Sequence, residues 1–315
     1  MSNNIPKPLL KWAGGKTQIL DKIIQEFPKS MNNYHEIFLG GGSVLLAFLT
    51  HVRNGNITIN NKIYAYDLNE PLIYVYKNVQ NNHDELYEII SSFINNYNKC
   101  PINSPNNEVN RKPSTIEEAK QSKESYYYWM RITYNKLNNN EKKTPLGSAM
   151  FIFLNKTCFR GLFREGPNGF NVPYGNYKNP EIINKEHLDE IHTLIQGVIF
   201  ESCDFSISLC KPGKGDFVYC DPPYAPETDT SFVGYTKDGF GIDQHEKLFN
   251  MCVGDTGDTF GFLMSNSNTD IVKKHFPEKD YKNQIISAKR SINSKNPDAK
   301  TTELIISNYF TKMIN

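Results

Sequence analysis

HEIFLGGGSVLLAFL, residues 35–49, decides the architecture of this chain. A short apolar run ends at Gly40-Gly41-Gly42, and a longer apolar run follows, with Ser43 placed to cap it as a helix. Strand, glycine turn and helix, in that order, open a parallel α/β unit. KIYAYDLNE (62–70) repeats the strand and loop, with Asp67 at the strand end. GVIFESCDF (197–205), GDFVYCDPPY (215–224), TFGFLMSNSN (259–268), QIISAKRSI (284–292) and ELIISNYF (303–310) each begin as an apolar strand, and the helical stretch HEKLFNMC lies between two of them. Upstream, Ile19, Leu20, Ile23, Ile24 and Phe27 fall on one helical face.

Strands and helices early and late, with a different texture between them, predict one α/β domain interrupted by an insertion. The expected boundaries are 1–75 with 187–315 for the α/β domain and 76–186 for the insertion. Residues 85–98 read as a helix carrying Leu86, Ile89, Ile90, Phe93, Ile94 and Tyr97. Loop material follows, and Ser114-x-x-Glu117 reads as a capping box for one long helix to about Leu137. That helix bears Tyr126, Tyr127, Tyr128 and Trp129, a cluster whose spacing favours core over ligand shelf. CFRGLFREGPNGFNVPYGNYKNP (158–180) is loop and hairpin, with turn chemistry at Gly166-Pro167-Asn168-Gly169.

Composition narrows the function classes. The 315 residues suffice for a large core plus a smaller lobe. A net charge of +1 supplies no global field for nucleic acid, so a DNA reader needs a local basic face. Lys273–Lys300 is rich in lysine, and by itself reads as solvated surface. The six cysteines show no zinc spacing. Apolar runs are far shorter than the roughly 20 residues that span a bilayer. The amino terminus is polar, with no signal peptide, so the expectation is a reduced, cytoplasmic protein without a membrane partner.

KWAGGKTQIL (11–20) looks at first like the end of a triphosphate cradle. That cradle needs a glycine five residues before Gly15, where Leu10 stands, so the phosphate reading fails.

The remaining unusual residues fall at strand ends, where open α/β sheets bind ligands. The Gly40–Gly42 turn lets backbone pass close to a ligand, and Asp67 is placed to accept hydrogen bonds from ribose hydroxyls. The most informative stretch is VYCDPPYAP (218–226). Pro222 and Pro223 stiffen the turn after the strand. A stiff turn holds the Asp221 carboxylate and the Pro222 carbonyl as neighbouring acceptors, with the Tyr224 ring beside them. Two acceptors gripping a planar exocyclic amine favour its pyramidalisation and aim its lone pair at an electrophile, while the ring stacks on the base.

With these residues in view, the sequence resembles the Dam-like family of D12-class DNA adenine-N6 methyltransferases. KWAGGK, FLGGG, YDLN, DF, YCDPPY, MSNSN and KRSI stand in that family's order, and FNVPYGNY is similar to its target-reading hairpin. The resemblance covers nearly the whole chain. It implies a Rossmann-like methyltransferase sheet with an inserted, mainly helical target-recognition domain bearing a β-hairpin. It also implies S-adenosylmethionine as cofactor, with no metal, and double-stranded DNA as substrate. A cognate restriction endonuclease is an implied functional partner. At matching positions, Trp12, Lys16, Phe38, Gly40, Gly42, Asp67, Asp204 and Asp221 line the cofactor site, Asp67 holding the ribose and Asp204 the cofactor's adenine amine. Asp221, Pro222, Pro223 and Tyr224 hold the flipped target adenine.

In the insertion, Phe159, Arg160, Leu162, Arg164, Pro173 and Tyr177 match positions that enter or flank DNA. The resemblance makes Arg164 the reader of guanine O6 and N7, and Phe159 the wedge where the adenine leaves. Lys289, Arg290 and Ser291 become phosphate contacts, which reverses the bland reading of that basic stretch. GATC-modifying members usually carry Asn-Gly-Leu where this chain has Arg160-Gly161-Leu162, so GATC and CATG both stand as expected targets. Cytosine-N4 methylation is disfavoured because its enzymes usually carry Ser-Pro-Pro in place of Asp221-Pro222-Pro223. RNA or protein-glutamine methylation would not require the 158–180 hairpin. A decayed methyltransferase that only binds DNA is disfavoured by the intact catalytic positions.

Overall fold

The computed structural model describes residues 4–102, 108–226, 240–253, 260–289 and 300–309. The chain forms two compact units, one of Met1–Lys7, Ala13–Leu68 and Gly197–Asn315, the other of Pro8–Trp12 and Asn69–Gln196.

The first unit is built on a seven-stranded sheet. Its strands in chain order are β1 (Tyr34–Glu36), β2 (Ile63–Asp67), β3 (Val198–Ser202), β4 (Phe217–Cys220), β5 (Gly261–Ser267), β6 (Lys282–Lys289) and β7 (Lys300–Ser307). The spatial order is β6-β7-β5-β4-β1-β2-β3. β1 pairs parallel with β2 and β4, β2 with β3, and β4 with β5. β7 runs antiparallel to both neighbours, β5 and β6. This is the expected α/β architecture with a mainly parallel sheet. The chain winds outward from β1 to β3, then returns to lay β4 on the other side of β1, so the topological switch point lies between β1 and β4.

Side chains on both faces of the central strands are buried, which is why β4 reads as an unbroken apolar run, whereas β1 buries His35 and Glu36. In β4, Val218 and Cys220 join a core with Phe262, Met264, Leu304 and Ile306, which also takes in Leu248, Phe249 and Cys252 of the helix Ile242–Val253. Phe217 and Tyr219 point the other way, and both meet Phe27, at 4.8 and 5.8 Å between ring centroids. Tyr34 stacks on Phe48 of the helix Ser43–Arg53 at 3.9 Å. Each such buried aromatic or aliphatic side chain contributes about 1.5–3 kcal/mol.

The second unit is mainly helical, with a short antiparallel pairing of Glu165–Gly166 against Gly169–Phe170. Its central helix, Pro145–Thr157, buries almost every side chain, and Thr144 caps it by accepting the Gly147 N–H. The tyrosine cluster is core as expected: Tyr126, Tyr127 and Tyr128 are buried.

The single long helix expected from Ser114 is two helices instead. Thr115, not Ser114, caps the short helix Ile116–Ala119 by accepting the Glu118 N–H. Ser122 then accepts the Ser125 N–H and starts the helix Lys123–Lys136. A buried serine with an available hydroxyl competes for the helical N–H groups and restarts the chain. Ser43 is likewise not the cap of its helix. Gly42 takes the cap position with φ 70°, and the Ser43 hydroxyl accepts the Lys16 N–H at 3.2 Å.

No helix among the described residues is long and apolar enough to cross a membrane. All six cysteines are free.

Candidate active site

The crevice beyond the carboxyl ends of β1 and β4 is where an open sheet of this order binds ligands. After β1, Ile37 N–H donates to the Tyr219 carbonyl at 3.0 Å and Leu39 N–H to the Tyr66 carbonyl at 2.8 Å, which ties the following segment to both neighbouring strands. The chain then turns at Gly40 and Gly42, with φ of 51° and 70°. Left-handed backbone of this kind is open to glycine at little cost. Asp67, closing β2, accepts the Gly40 N–H through Oδ2 at 2.9 Å. One acidic strand end therefore fixes the glycine turn.

Asp204 follows β3 and caps the short helix Phe205–Ser208. The Ser206 N–H and hydroxyl both donate to its Oδ1, at 2.9 and 2.5 Å. Phe38 is half-buried and packs on Phe205 and on Phe240, with centroids 5.9 and 6.0 Å away. Phe38, Gly40, Gly42, Asp67, Asp204 and Asp221 all follow or close the strands of the parallel array, and the structure brings them together in one unit. Trp12 belongs to the other unit, where its indole stacks on Phe151 and Phe163 at 6.5 and 6.1 Å.

Asp221-Pro222-Pro223-Tyr224 follows β4. The Asp221 side chain keeps 18% of its surface exposed. Its Oδ1 is fully buried, 2.8 Å from the ammonium of Lys16. Burial pushes the Asp221 carboxyl up to about 6; Lys16 opposes that rise and Glu303 adds to it. Lys16, itself 5% exposed, also donates to the Gly14 carbonyl at 2.7 Å and lies 4.8 Å from the centroid of the Tyr224 ring. The lysine of KWAGGK thus serves the strand-end carboxylate.

Several residues of this constellation carry no signal as isolated letters. Asn266 Oδ1 accepts the Ala225 N–H at 3.0 Å, and the Ser267 hydroxyl donates to the Ala225 carbonyl at 2.7 Å. These two end β5, and the polar SNSN tail of an otherwise apolar strand was the available hint. Glu303, on β7, accepts the Tyr224 hydroxyl at 2.8 Å. Glu36, ending β1, is 2% exposed and accepts the Tyr34 hydroxyl at 2.8 Å. Burial raises the Glu36 carboxyl to about 8; the Tyr34 bond resists this and the charge of Asp221 adds to it.

In the second unit, the 158–177 segment is pinned by one face of the helix Lys123–Lys136. Tyr127, Arg131 and Asn135 stand four residues apart, so they share a face. The Tyr127 hydroxyl and an Arg131 Nη donate to the Val172 carbonyl at 2.7 and 3.0 Å. Asn135 exchanges two hydrogen bonds with the Phe170 backbone, both 2.9 Å. Phe159 N–H donates to the Pro173 carbonyl at 2.8 Å. Phe159 is 45% exposed, and Arg160, Arg164 and Pro173 are exposed with it, while Leu162 and Tyr177 are half-buried. Arg160 adopts φ 56°, a strained value for a residue with a side chain, and its guanidinium lies 5.3 Å from the Phe159 ring.

Arg164 donates through Nε to Asn171 Oδ1 at 2.6 Å, which fixes the plane of the guanidinium. Buried Asn155 accepts the Lys11 N–H at 2.9 Å and donates to the Lys11 and Gly161 carbonyls at 2.8 and 3.1 Å. Lys11 lies 3.8 Å from the Tyr177 ring centroid and joins this surface. Lys289 ends β6 opposite Lys300, while Arg290 and Ser291 lie outside the described residues.

Residues 12–293 match the family described as D12 class N6 adenine-specific DNA methyltransferase. The chain belongs to that family. It is also similar to the type II methyltransferase M.MjaIII of Methanocaldococcus jannaschii, 36% identical over 96% of this chain and 99% of that protein. A DNA adenine methylase of Haemophilus influenzae is 30% identical, covering 95% of this chain and 92% of that one. The type II methyltransferase M1.LlaDCHI of Lactococcus lactis is 29% identical over 96% and 95% of the two chains. The protein is a DNA adenine-N6 methyltransferase of the D12 class. In this methyltransferase the Asp221 carboxylate and the Tyr224 ring, both after β4, meet at the ammonium of Lys16.

Proposed function

We propose that this enzyme transfers a methyl group from S-adenosylmethionine to N6 of an adenine flipped out of a short palindromic duplex site of GATC or CATG type. The observation that carries the reading is the loop after β4, where Lys16 pairs with the Asp221 carboxylate and two further strands hold the Tyr224 hydroxyl and the Ala225 backbone.

The donor set fits the cofactor. Asp67 suits the ribose hydroxyls, Asp204 a purine amine, and Phe38 with Gly40 and Gly42 the surface of the nucleoside; Lys16 is assigned to the same site. Bound there, the cofactor supplies a methyl carbon that N6 takes in one in-line displacement. Asp221 and the Pro222 carbonyl accept the two amine hydrogens, which localises the nitrogen lone pair. Lys16 keeps Asp221 ionised for that task, and Asp221 then helps carry away the amine proton. Pro223 stiffens the turn, and Tyr224 stacks on the base.

The first unit is assigned the cofactor and the chemistry, the second the reading of DNA. Arg164, with its guanidinium fixed by Asn171, reads a guanine edge; Phe159 wedges the vacated stack; Arg160, Leu162, Pro173 and Tyr177 line the contact. Lys289, Arg290 and Ser291 hold phosphate. The naming of two relatives as type II methyltransferases favours a cognate restriction endonuclease as functional partner and a cytoplasmic setting.

The test is methyl transfer from S-adenosylmethionine to unmethylated plasmid, with base-resolved mapping and Asp221→Ala in parallel. One methylated motif, with transfer cut by at least about 10²-fold in the variant, is expected. Methylated adenine without a shared motif, or full activity in Asp221→Ala, would overturn the assignment.

A further inference from the structure

ELIISNYF opens on a glutamate that its strand pattern leaves without a task. In the fold, Glu303 of β7 lies opposite Ser267 of β5 in register. Ser267 and its neighbour Asn266 hold both backbone groups of Ala225, Asn266 accepting its N–H and Ser267 donating to its carbonyl. Glu303 takes the next feature of the same loop: its Oε2 accepts the Tyr224 hydroxyl at 2.8 Å. On the same ring, the Lys16 ammonium stands 4.8 Å from the centroid.

We propose that Glu303 is a positioning residue for methyl transfer, fixing the Tyr224 ring through its phenol in the orientation on which the target adenine stacks. The proposal rests on the role assigned above to Tyr224 as the platform for the base.

The physical case concerns the freedom of an aromatic side chain on a loop. A phenylalanine-like ring after two prolines still rotates about its own two side-chain torsions, and each wrong rotamer presents an edge where the base needs a face. A phenol donating to a carboxylate is a charge-assisted bond, shorter and stronger than a neutral one. Anchored on a strand rather than on the loop itself, it removes that freedom before the base arrives, and preorganised geometry is worth most in a displacement with strict in-line demands. Asn266 and Ser267 hold the loop's backbone at Ala225; Glu303 fixes the Tyr224 side chain, which those backbone bonds leave free. β7 is the antiparallel strand laid between β5 and β6, so the reversed strand of the sheet is what places a carboxylate over the loop after β4.

The experiment compares wild type, Glu303→Gln, Glu303→Ala, Tyr224→Phe and the Glu303→Ala/Tyr224→Phe double variant. It measures kcat and KM with tritiated S-adenosylmethionine and plasmid DNA, S-adenosylmethionine Kd by equilibrium dialysis, and Tm. Glu303→Ala is expected to lower kcat ten- to a hundredfold with cofactor Kd unchanged. Tyr224→Phe, which removes only the hydroxyl, should fall by a similar factor, and the double variant should be no worse than either single one. Glu303→Gln, which still accepts the phenol proton, should recover most of the rate.

A fully active Glu303→Ala overturns the proposal, as do losses that multiply in the double variant. A rate deficit that follows a lowered Tm and is not rescued by glutamine shows a strut of the sheet and overturns it too. If Glu303→Ala does not fold, the Tyr224→Phe and Glu303→Gln pair decides: wild-type rates in Tyr224→Phe would end the proposal. A wild-type enzyme that methylates no adenine would instead bring down the underlying reading, and this shows in the parent reaction before any variant is compared.

Discussion

The ammonium of Lys16 lies 2.8 Å from Oδ1 of Asp221, so the lysine of KWAGGK and the aspartate of the DPPY loop form one ion pair across more than two hundred residues of sequence. It sits where burial alone would protonate the carboxylate. The pair keeps the aspartate available as an acceptor near neutral pH, and its strength has a measurable signature.

Asp221 is raised to about 6 chiefly by burial. Methyl transfer needs its ionised form, so kcat/KM for DNA should fall as pH drops below about 6. Lys16→Met removes the charge that opposes the rise, with Glu303 left to add to it, and should move the acid limb upward by about 1 pH unit or more. The shape of the profile is the readout, since amplitude also reports binding. An acid limb at the same pH in both proteins would refute the coupling.

Glu36 tests the same physics through stability. Its folded-state value, about 8, is raised above the ordinary 4.5, mainly by burial. The stability it contributes is full below the ordinary value and is lost as pH rises through about 8. Glu36→Gln keeps an acceptor for Tyr34 and cannot ionise. Urea midpoints at pH 6 and pH 9 should therefore differ less in Glu36→Gln than in wild type; parallel losses in the two proteins would exclude a neutral buried Glu36.

Gly161 carries a backbone requirement that no side chain meets. Its φ is +65°, and a Cβ placed there would sit 2.3 Å from the Cβ of Lys11. Gly161→Ala should cost about 1–2 kcal/mol for the conformation alone, and more for the contact with Lys11. Because the strain falls on the Phe159–Leu162 turn, DNA affinity should drop while S-adenosylmethionine affinity holds. Filter binding and equilibrium dialysis separate the two, and unchanged DNA affinity would count against a role for this turn in binding.

Arg164 and Asn171 form a donor-acceptor pair on the exposed loop, with 2.6 Å between Nε and Oδ1. Arg164→Ala should lose about 1–3 kcal/mol of discrimination at one base pair, and Asn171→Ala part of the same selectivity, since the guanidinium then samples other planes. Base-resolved mapping of methylated plasmid reads this as relaxation at a single position of the motif. A uniform loss of rate with the motif unchanged would assign Arg164 to phosphate contact.

The sequence by itself determined the parallel sheet, because most strands buried on both faces are apolar runs and the glycine turn after β1 tolerates few other residues. It also marked Asp67 and the Asp221–Tyr224 loop as unusual residues at strand ends, while Asp204 entered only through the family resemblance. Local pattern could not see across the chain. It offered Ser43 and Ser114 as caps, while the fold gave those roles to Gly42 and Thr115 and spent the Ser43 hydroxyl on Lys16. Only tertiary structure decided that Lys16 pairs with Asp221, that Glu303 on the reversed strand holds Tyr224, and that Tyr127, Arg131 and Asn135 pin the hairpin. Each of these is a polar contact between residues distant in sequence, and its energy exists only once folding has excluded water from around the two partners.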